Sequence, residues 1–268
     1  MKKRIAKIKI IFVSILALLL IFVTCFAGLF AHNDPYATNA LAIRTAPCLQ
    51  YPFGTDNLGR CVFARVLYGG RTTIAATFLL VFISFVIGTV VGMIAGYFGG
   101  LADRLLMRFA DITLAFPQMV VAIAVAGILG TGMTGAMISL GITMWVSFAR
   151  LSRSHTLSLK NEGYIQTAFF AGKSDLYIIM IHIFPNLLAP VFTNALTQIG
   201  TTMIGLSGLS FLGLGVIPPK AEWGSMISEA RAYIQIAPWA VFYPALATIV
   251  TIIVFNYLGD AVMDYREA

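Results

Sequence analysis

Apolar runs long enough to cross a bilayer alternate with short charged segments along the whole chain. A spanning helix needs about 20 mostly apolar residues, and residues 10–31 supply the first. Lys2, Lys3, Arg4, Lys7 and Lys9 precede it. By the positive-inside bias they mark the N-terminus as cytoplasmic. A cleaved signal peptide would carry a shorter apolar region, so residues 1–31 read as a cytoplasmic segment and a retained first span. Residues 32–71 hold His32, Asp34, Asp56, four arginines and three prolines, and read as an extracytoplasmic segment. No charge follows until Asp103, which places the second span at about 73–97. Asp103-Arg104-Leu-Leu-Met-Arg108 is a short cytoplasmic turn. Residues 112–149 are again uncharged but too long for one span, and a Gly-Thr-Gly-Met-Thr-Gly break at 130–135 divides them. Spans at about 107–130 and 134–150 are expected. Residues 151–186 form the largest cytoplasmic segment, with Arg153, Lys160, Glu162, Lys173 and Asp175. A span at about 187–212, an outer return at 213–237, a last span at about 238–259 and a cytoplasmic tail at 265–268 complete the pattern.

This pattern predicts an all-α membrane protein with six transmembrane helices and both termini cytoplasmic, its helical core covering residues 72–264. Composition agrees. The 268 residues are 59% apolar and only 11% charged, under half the usual share for a soluble domain. Mean hydropathy is +0.88. A disordered chain is excluded, and an ordinary water-soluble enzyme could not bury so much apolar surface in one core. The net charge of +7 reflects loop asymmetry more than a nucleic-acid partner. Of 18 Lys and Arg residues, 12 fall on segments assigned inside and 6 outside. Cys25, Cys48 and Cys61 are too few and too scattered for a disulfide framework or a zinc site. Cys48 and Cys61 can pair if their segment is outside the cell.

The centres of the expected spans carry no ionisable group, whereas gradient-driven pumps bury such groups as relays. The chain therefore reads as a channel or as a subunit whose energy comes from a partner. Asp111, near one end of the third span, shares a helix face with Arg104 and Arg108 and predicts an interfacial ion pair. Asp260 also sits at a membrane edge. Gly88, Gly92, Gly96 and Gly100 form a G-x-x-x-G ridge that lets two helices approach closely in lipid. Two apparent motifs fail on inspection. Gly172-Lys173-Ser174 ends like a phosphate-binding loop, but the first glycine of that pattern falls on Thr167. Gly205-Leu206-Ser207-Gly208 resembles an intramembrane serine protease site. Its histidine base would have to come from a later span, and His32, His155 and His182 all precede it. No catalytic residue and no metal site is therefore assigned. Met119, Met133, Met137 and Met144 read as packing rather than ligands.

Residues 161–186 are the most informative. Residues 161–171 can form a short helix. Gly172 stands where a helix end favours the left-handed conformation, and Ser174 or Asp175 can cap a second helix over 176–182. Pro185 then interrupts the pattern, and Asn186 can start the next span. Such a helix-turn-helix, with Ala168, Ala171 and Gly172 allowing close approach, suits docking into a cleft on a soluble partner. An ordinary interfacial loop has the same composition.

The stretch Tyr164-Ile-Gln-Thr-Ala-Phe-Phe-Ala-Gly172-Lys-Ser-Asp175, followed by His182-Ile-Phe-Pro185-Asn186, resembles the EAA loop of ABC-importer permeases. Ala168, Gly172 and Pro185 match that pattern. Gln166 stands in place of its glutamate and Thr167 in place of its first alanine. Further segments resemble the C-type permease of dipeptide, oligopeptide and nickel importers. They are Gly54-Thr55-Asp56-Asn-Leu-Gly59-Arg60, Gly69-x-Arg71, Asp103 to Asp111 and Ala115-Phe-Pro117. Leu209 to Gly215, Pro219-x-x-Glu222-Trp223-Gly224 and Phe255-Asn256-x-x-Gly259-Asp260 continue the series in the same order. Cys61 follows Arg60 where that family has an aspartate.

The resemblance implies half of a heterodimeric pore in the bacterial inner membrane, completed by a homologous second permease. Two cytoplasmic ATPases would dock on a coupling helix formed by Gln166, Thr167, Ala168, Gly172, Ser174, Asp175, His182 and Pro185. They would bind ATP and magnesium, and this chain would need no cofactor of its own. An extracytoplasmic binding protein would deliver the solute to residues 50–71 and 213–237, shaped by Pro218, Pro219 and Trp223. Those segments can equally cover the outer mouth. Nickel, bare or chelated, and di- or oligopeptides are both expected cargoes. A passive six-helix channel is the alternative. The substrate path is not legible at this level.

Overall fold

The computed structural model describes residues 2–267, so Met1 and Ala268, the ends of the expected first segment and tail, lie outside the described residues. The described chain is helical with no β-strand beyond a single bridge between Thr55 and Cys61. The first helix, α1, spans Lys2–Cys25 and is followed by one turn, α2, at Ala27–Phe30. An irregular segment containing a 3₁₀ turn at Ala40–Ala42 leads into α3, Val62–Phe98. With 37 residues, α3 is ~55 Å long and forms the axis of the molecule. It stops because Gly99 turns to φ +63° and caps the Ala95 carbonyl.

The stretch expected to cross as one helix over 107–130 is two helices. α4 runs Gly100–Thr113 and α5 Gln118–Leu129, and they meet at 80°. Pro117 has no N–H to donate and biases Phe116 away from helical geometry. Five described helices are long and apolar enough to cross a membrane, or six if this bent pair makes one span.

The next helix, α6, runs Met133–Lys160, well past the expected end near 150. The charges that suggested a boundary ride on the continuing helix because each finds a partner. Arg150 Nη2 bonds Asp111 Oδ1 at 2.7 Å, Arg153 Nη2 bonds Asp103 Oδ2 at 2.7 Å and Lys160 Nζ donates to the Tyr97 carbonyl at 2.6 Å. Asp111 thus pairs across to α6 rather than with Arg104 or Arg108 on its own helix.

A short helix, α7 (Gly163–Phe170), is followed by a turn at Gly172 and by α8, Asp175–Tyr177. The break expected at Pro185 is absent. α8 passes through a π-helical stretch, Ile178–Ile183, directly into α9, Phe184–Phe211. There the Phe184 N–H reaches the Ile179 carbonyl, five residues back. The widened turn gives the proline ring room that a regular α-turn would deny it. α10 covers Trp223–Ala230 and α11 Trp239–Glu267.

α3 and α6 make the tightest contact. A Cβ on Gly88 would lie 2.3 Å from the Trp145 carbonyl oxygen, and one on Gly92 2.2 Å from that of Ala149. Gly96 likewise faces Arg153 and Thr156. Gly100 does not continue this ridge, because it follows the break at Gly99 and stands clear of other atoms. Cys48 is exposed, Cys61 is buried and both thiols are free, so the expected option of pairing is not realised.

Candidate functional site

Among the described residues, three places are the candidates for function: the two ends of α3 and a cavity between α5, α6 and α9. At the Val62 end, segments far apart in sequence close on one buried cluster. Asp56 Oδ1 accepts from the Leu58 and Arg60 backbone N–H groups at 2.9 and 3.0 Å, and its Oδ2 from Arg60 Nε at 2.6 Å. Arg60 Nη2 reaches Glu229 Oε2 at 2.7 Å. Arg65, one turn into α3, donates to the Pro219 carbonyl at 3.2 Å and lies 3.6 and 3.7 Å from the same two carboxylates. Burial opposes the Arg60 charge, but Asp56 and Glu229 outweigh it and hold its pKa above the ordinary value. Burial, helped by Asp56, pushes the Tyr233 phenol up as well.

Glu222 begins α10. Its Oε1 accepts from the Gly224 N–H at 2.9 Å and its Oε2 from the Ser225 N–H at 2.8 Å, satisfying two orphan donors of the first turn. Thr73 Oγ1 also donates to Glu222 Oε1 at 3.2 Å. Trp223 Nε1 donates to the Val66 carbonyl at 2.8 Å, over Gly69 and Gly70. Trp239 Nε1 donates to the Thr55 carbonyl at 3.0 Å, and the Thr55 hydroxyl donates to the Ala42 carbonyl. Gly54 and Gly59 sit at φ +71° and +74°, and a Cβ on Gly59 would lie 1.9 Å from the Asn39 carbonyl oxygen. Gly224 packs against Ser207. The structure therefore brings Gly54, Thr55, Asp56, Gly59, Arg60, Pro219, Glu222, Trp223 and Gly224 into one region. Arg65, Thr73, Glu229 and Trp239 were not singled out from the sequence. Glu229 lies two turns after Glu222, which was the available signal.

At the Phe98 end, ~54 Å along α3, the α7–α8 segment is pinned from beneath. Asp175 Oδ1 accepts from the Tyr97 hydroxyl at 2.7 Å, and Ser174 Oγ caps α8 by accepting from the Tyr177 N–H at 3.3 Å. Ile165, Ile178 and Ile183 are buried as anchors. The turn itself is open: Gly172 has φ +73° and a Cβ there would touch nothing within 4 Å. Gln166, Thr167 and Ala168 lie on α7, and the outer surface is apolar, with Phe169, Phe170, Leu176, Met180 and Ile181 exposed. His182 lies in the π-helical stretch, its ring 6.0 Å from that of Tyr164, and Pro185 is in the first turn of α9. Beneath the segment is a cavity of ≈ 490 Å³ bordered by Tyr97, Lys160, Phe169 and Asp175.

The third place is a cavity of ≈ 560 Å³ whose polar lining comes from Gln118, Thr143, Ser147, Arg150, Gln198, Thr201 and Thr202. Among the described residues, no three His, Cys, Asp or Glu side chains gather as a metal site.

Residues 88–268 match the family model described as "Binding-protein-dependent transport system inner membrane component". The chain is 43% identical over 254 residues to the glutathione transport system permease protein GsiD of Escherichia coli O6:K15:H31, covering 94% of this chain and 83% of that protein. The same identity and coverage relate it to GsiD of Shigella sonnei. Among solved structures, it is similar to an inward-facing conformation of the MetNI methionine ABC transporter. The TM-score is 0.61 at 18% identity, over 73% of this chain and 93% of that one. At that identity the likeness speaks to fold alone.

Proposed function

The chain belongs to the family of inner-membrane components of binding-protein-dependent transport systems, and from that premise we propose that it carries peptides of the glutathione class through a pore shared with a second permease. The coarser statement is established by membership: this is a multi-pass permease subunit of an ATP-driven ABC importer, not an enzyme. Such a subunit works in the inner membrane with partner ATPases and a substrate-binding protein. The passive-channel reading is not favoured by that membership.

The observation that carries the substrate class is the 43% identity, across nearly the whole chain, to a permease named for glutathione transport. The lining of the α5–α6–α9 cavity is consistent with it, because amides and hydroxyls suit a peptide's own amides. Nickel has no such support here, and this chain gathers no ligand set for it among the described residues.

In this reading the end with α7 and α8 is cytoplasmic, and the end with α10 faces the binding protein. The exposed apolar surface around Gly172 docks into a cleft on an ATPase, which holds the ATP and magnesium. Closure of the ATPase pair pulls on α7 and α8. The pull reaches α9 through the continuous helix, and the ends of α3 and α6 through Asp175, Tyr97 and Lys160. The glycine ridge makes α3 and α6 move together. The cavity walls then shift between outward and inward access, a population shift driven by a ligand of the partner.

The test is uptake into proteoliposomes holding both permeases and both ATPases, with the binding protein outside. Glutathione accumulation that requires ATP and binding protein is expected. ATP hydrolysis stimulated by the binding protein with no peptide uptake would overturn the substrate class. Solute flux through this chain without ATPases would revive the channel reading.

A further inference from the structure

Arg150 is the one charged side chain among those lining the α5–α6–α9 cavity. The polar positions are ordered by helix geometry. Thr143, Ser147 and Arg150 recur on one face of α6 at i, i+4 and i+7, and Gln198, Thr201, Thr202 and Gly205 recur on one face of α9. Gln118 opens α5 opposite them. Much of this polarity is unspent. The Gln118 amide and the Ser147 hydroxyl make no hydrogen bond among the described residues, and Gln198 uses only its Oε1, accepting from Thr201 at 2.9 Å. A guanidinium offers five N–H donors in a fixed fork. Arg150 commits Nη2 alone, to Asp111 at 2.7 Å.

That ion pair is unlike the structural one at the other end of the bundle. The Asp111 and Arg150 side chains are 63% and 51% exposed, whereas those of Asp56 and Arg60 are 7% and 2% exposed. A pair that the chain itself leaves so open is loosely held and free to exchange partners. An anion with the planar, two-oxygen shape of a carboxylate fits the free edge of the guanidinium.

We propose that this cavity is the solute-handling site, in which a peptide carboxylate displaces Asp111 from Arg150 while Gln118, Ser147 and Gln198 take the peptide's amide groups. The inference rests on the peptide-importer reading and adds the residues and the recognised group. At ≈ 560 Å³ the cavity falls within the range of small-molecule sites, ~300–1,000 Å³. Asp111 serves as a stand-in for the solute, keeping Arg150 in place while the site is empty.

The experiment uses the complete importer in proteoliposomes with glutathione as probe. Uptake and binding-protein-stimulated ATP hydrolysis are measured together. Arg150→Gln is expected to lower the glutathione moved per ATP hydrolysed about tenfold or more, the scale of a lost charge-assisted pair. The charge swap Arg150→Asp with Asp111→Arg restores an ion pair but moves the cation to α4, and uptake is expected to stay low. Unchanged uptake in Arg150→Gln, or uptake restored by the swap, would overturn the proposal. If Arg150→Gln fails to assemble, Gln118→Ala decides: its side chain is exposed and makes no hydrogen bond among the described residues, and uptake should fall about threefold or more, with no fall refuting the site. A wild-type complex that is stimulated yet imports no glutathione would instead sink the peptide reading on which this inference stands.

Discussion

At the Val62 end of α3, Arg60 and Arg65 are 2% and 1% exposed and lie among carboxylates and backbone carbonyls of three other segments. At the Phe98 end, Phe170 is 83% and Leu176 70% exposed, on a segment held from below by a tyrosine and three isoleucines. The first arrangement is met mostly within the chain, with Arg65 Nη2 and Glu229 Oε1 the buried atoms of the cluster that make no hydrogen bond. It closes the irregular loop, α3 and α10 into one block, and its charges leave little polarity for a tight partner. The second keeps its anchors inside and its apolar surface outside, as a surface does that is finished by another protein. A region that must move under a partner's pull is expected to owe little of its order to its own outer face.

Substitutions can break this contrast. The largest loss of stability is expected from Arg60→Ala, which leaves Asp56 buried and Glu229 half-buried without their main partner. About 3–5 kcal/mol is the scale for breaking a buried pair, read as a fall in the thermal midpoint of the detergent-purified complex. Gly92→Ala should follow, because its Cβ would meet the Ala149 carbonyl oxygen at 2.2 Å and overpacking costs about 1–3 kcal/mol. Tyr97→Phe removes only the bond to Asp175 and should cost about 1 kcal/mol. If α7 and α8 couple to the ATPase as proposed, it should also lower solute moved per ATP hydrolysed, because that segment loses its tie to α3. Gly172→Asp strains a left-handed turn by about 1–2 kcal/mol without a clash and places a charge on the proposed docking surface. Phe170→Ala should change stability by under about 0.5 kcal/mol yet weaken ATPase retention. If Phe170→Ala destabilised the subunit as much as Arg60→Ala, the contrast would be false.

Parts of this were readable beforehand. The four-residue spacing of Gly88, Gly92 and Gly96 announced a close helix contact because small residues are the means of approach in lipid. The turn at Gly172 was readable because few residues besides glycine accept its φ. Other features depend on the third dimension. Nothing local links Arg60 to Glu229, 169 positions away. The bend at Pro117 was lost because counting apolar residues passes over a proline. The continuity at Pro185 depends on a π-helical stretch with no sequence sign. The polar faces of α6 and α9 were present as spacing, but serine, threonine and glutamine do not interrupt an apolar window and so went unseen.

The most direct test of the central claim, that the α7–α8 surface is the ATPase dock, is co-purification from native membranes of wild type and Phe170→Ala, with the second permease as internal reference. The account predicts that both forms bring down the second permease and that only wild type retains the ATPases. Retention of the ATPases at the wild-type level by Phe170→Ala and by Gly172→Asp would contradict it and place the dock elsewhere.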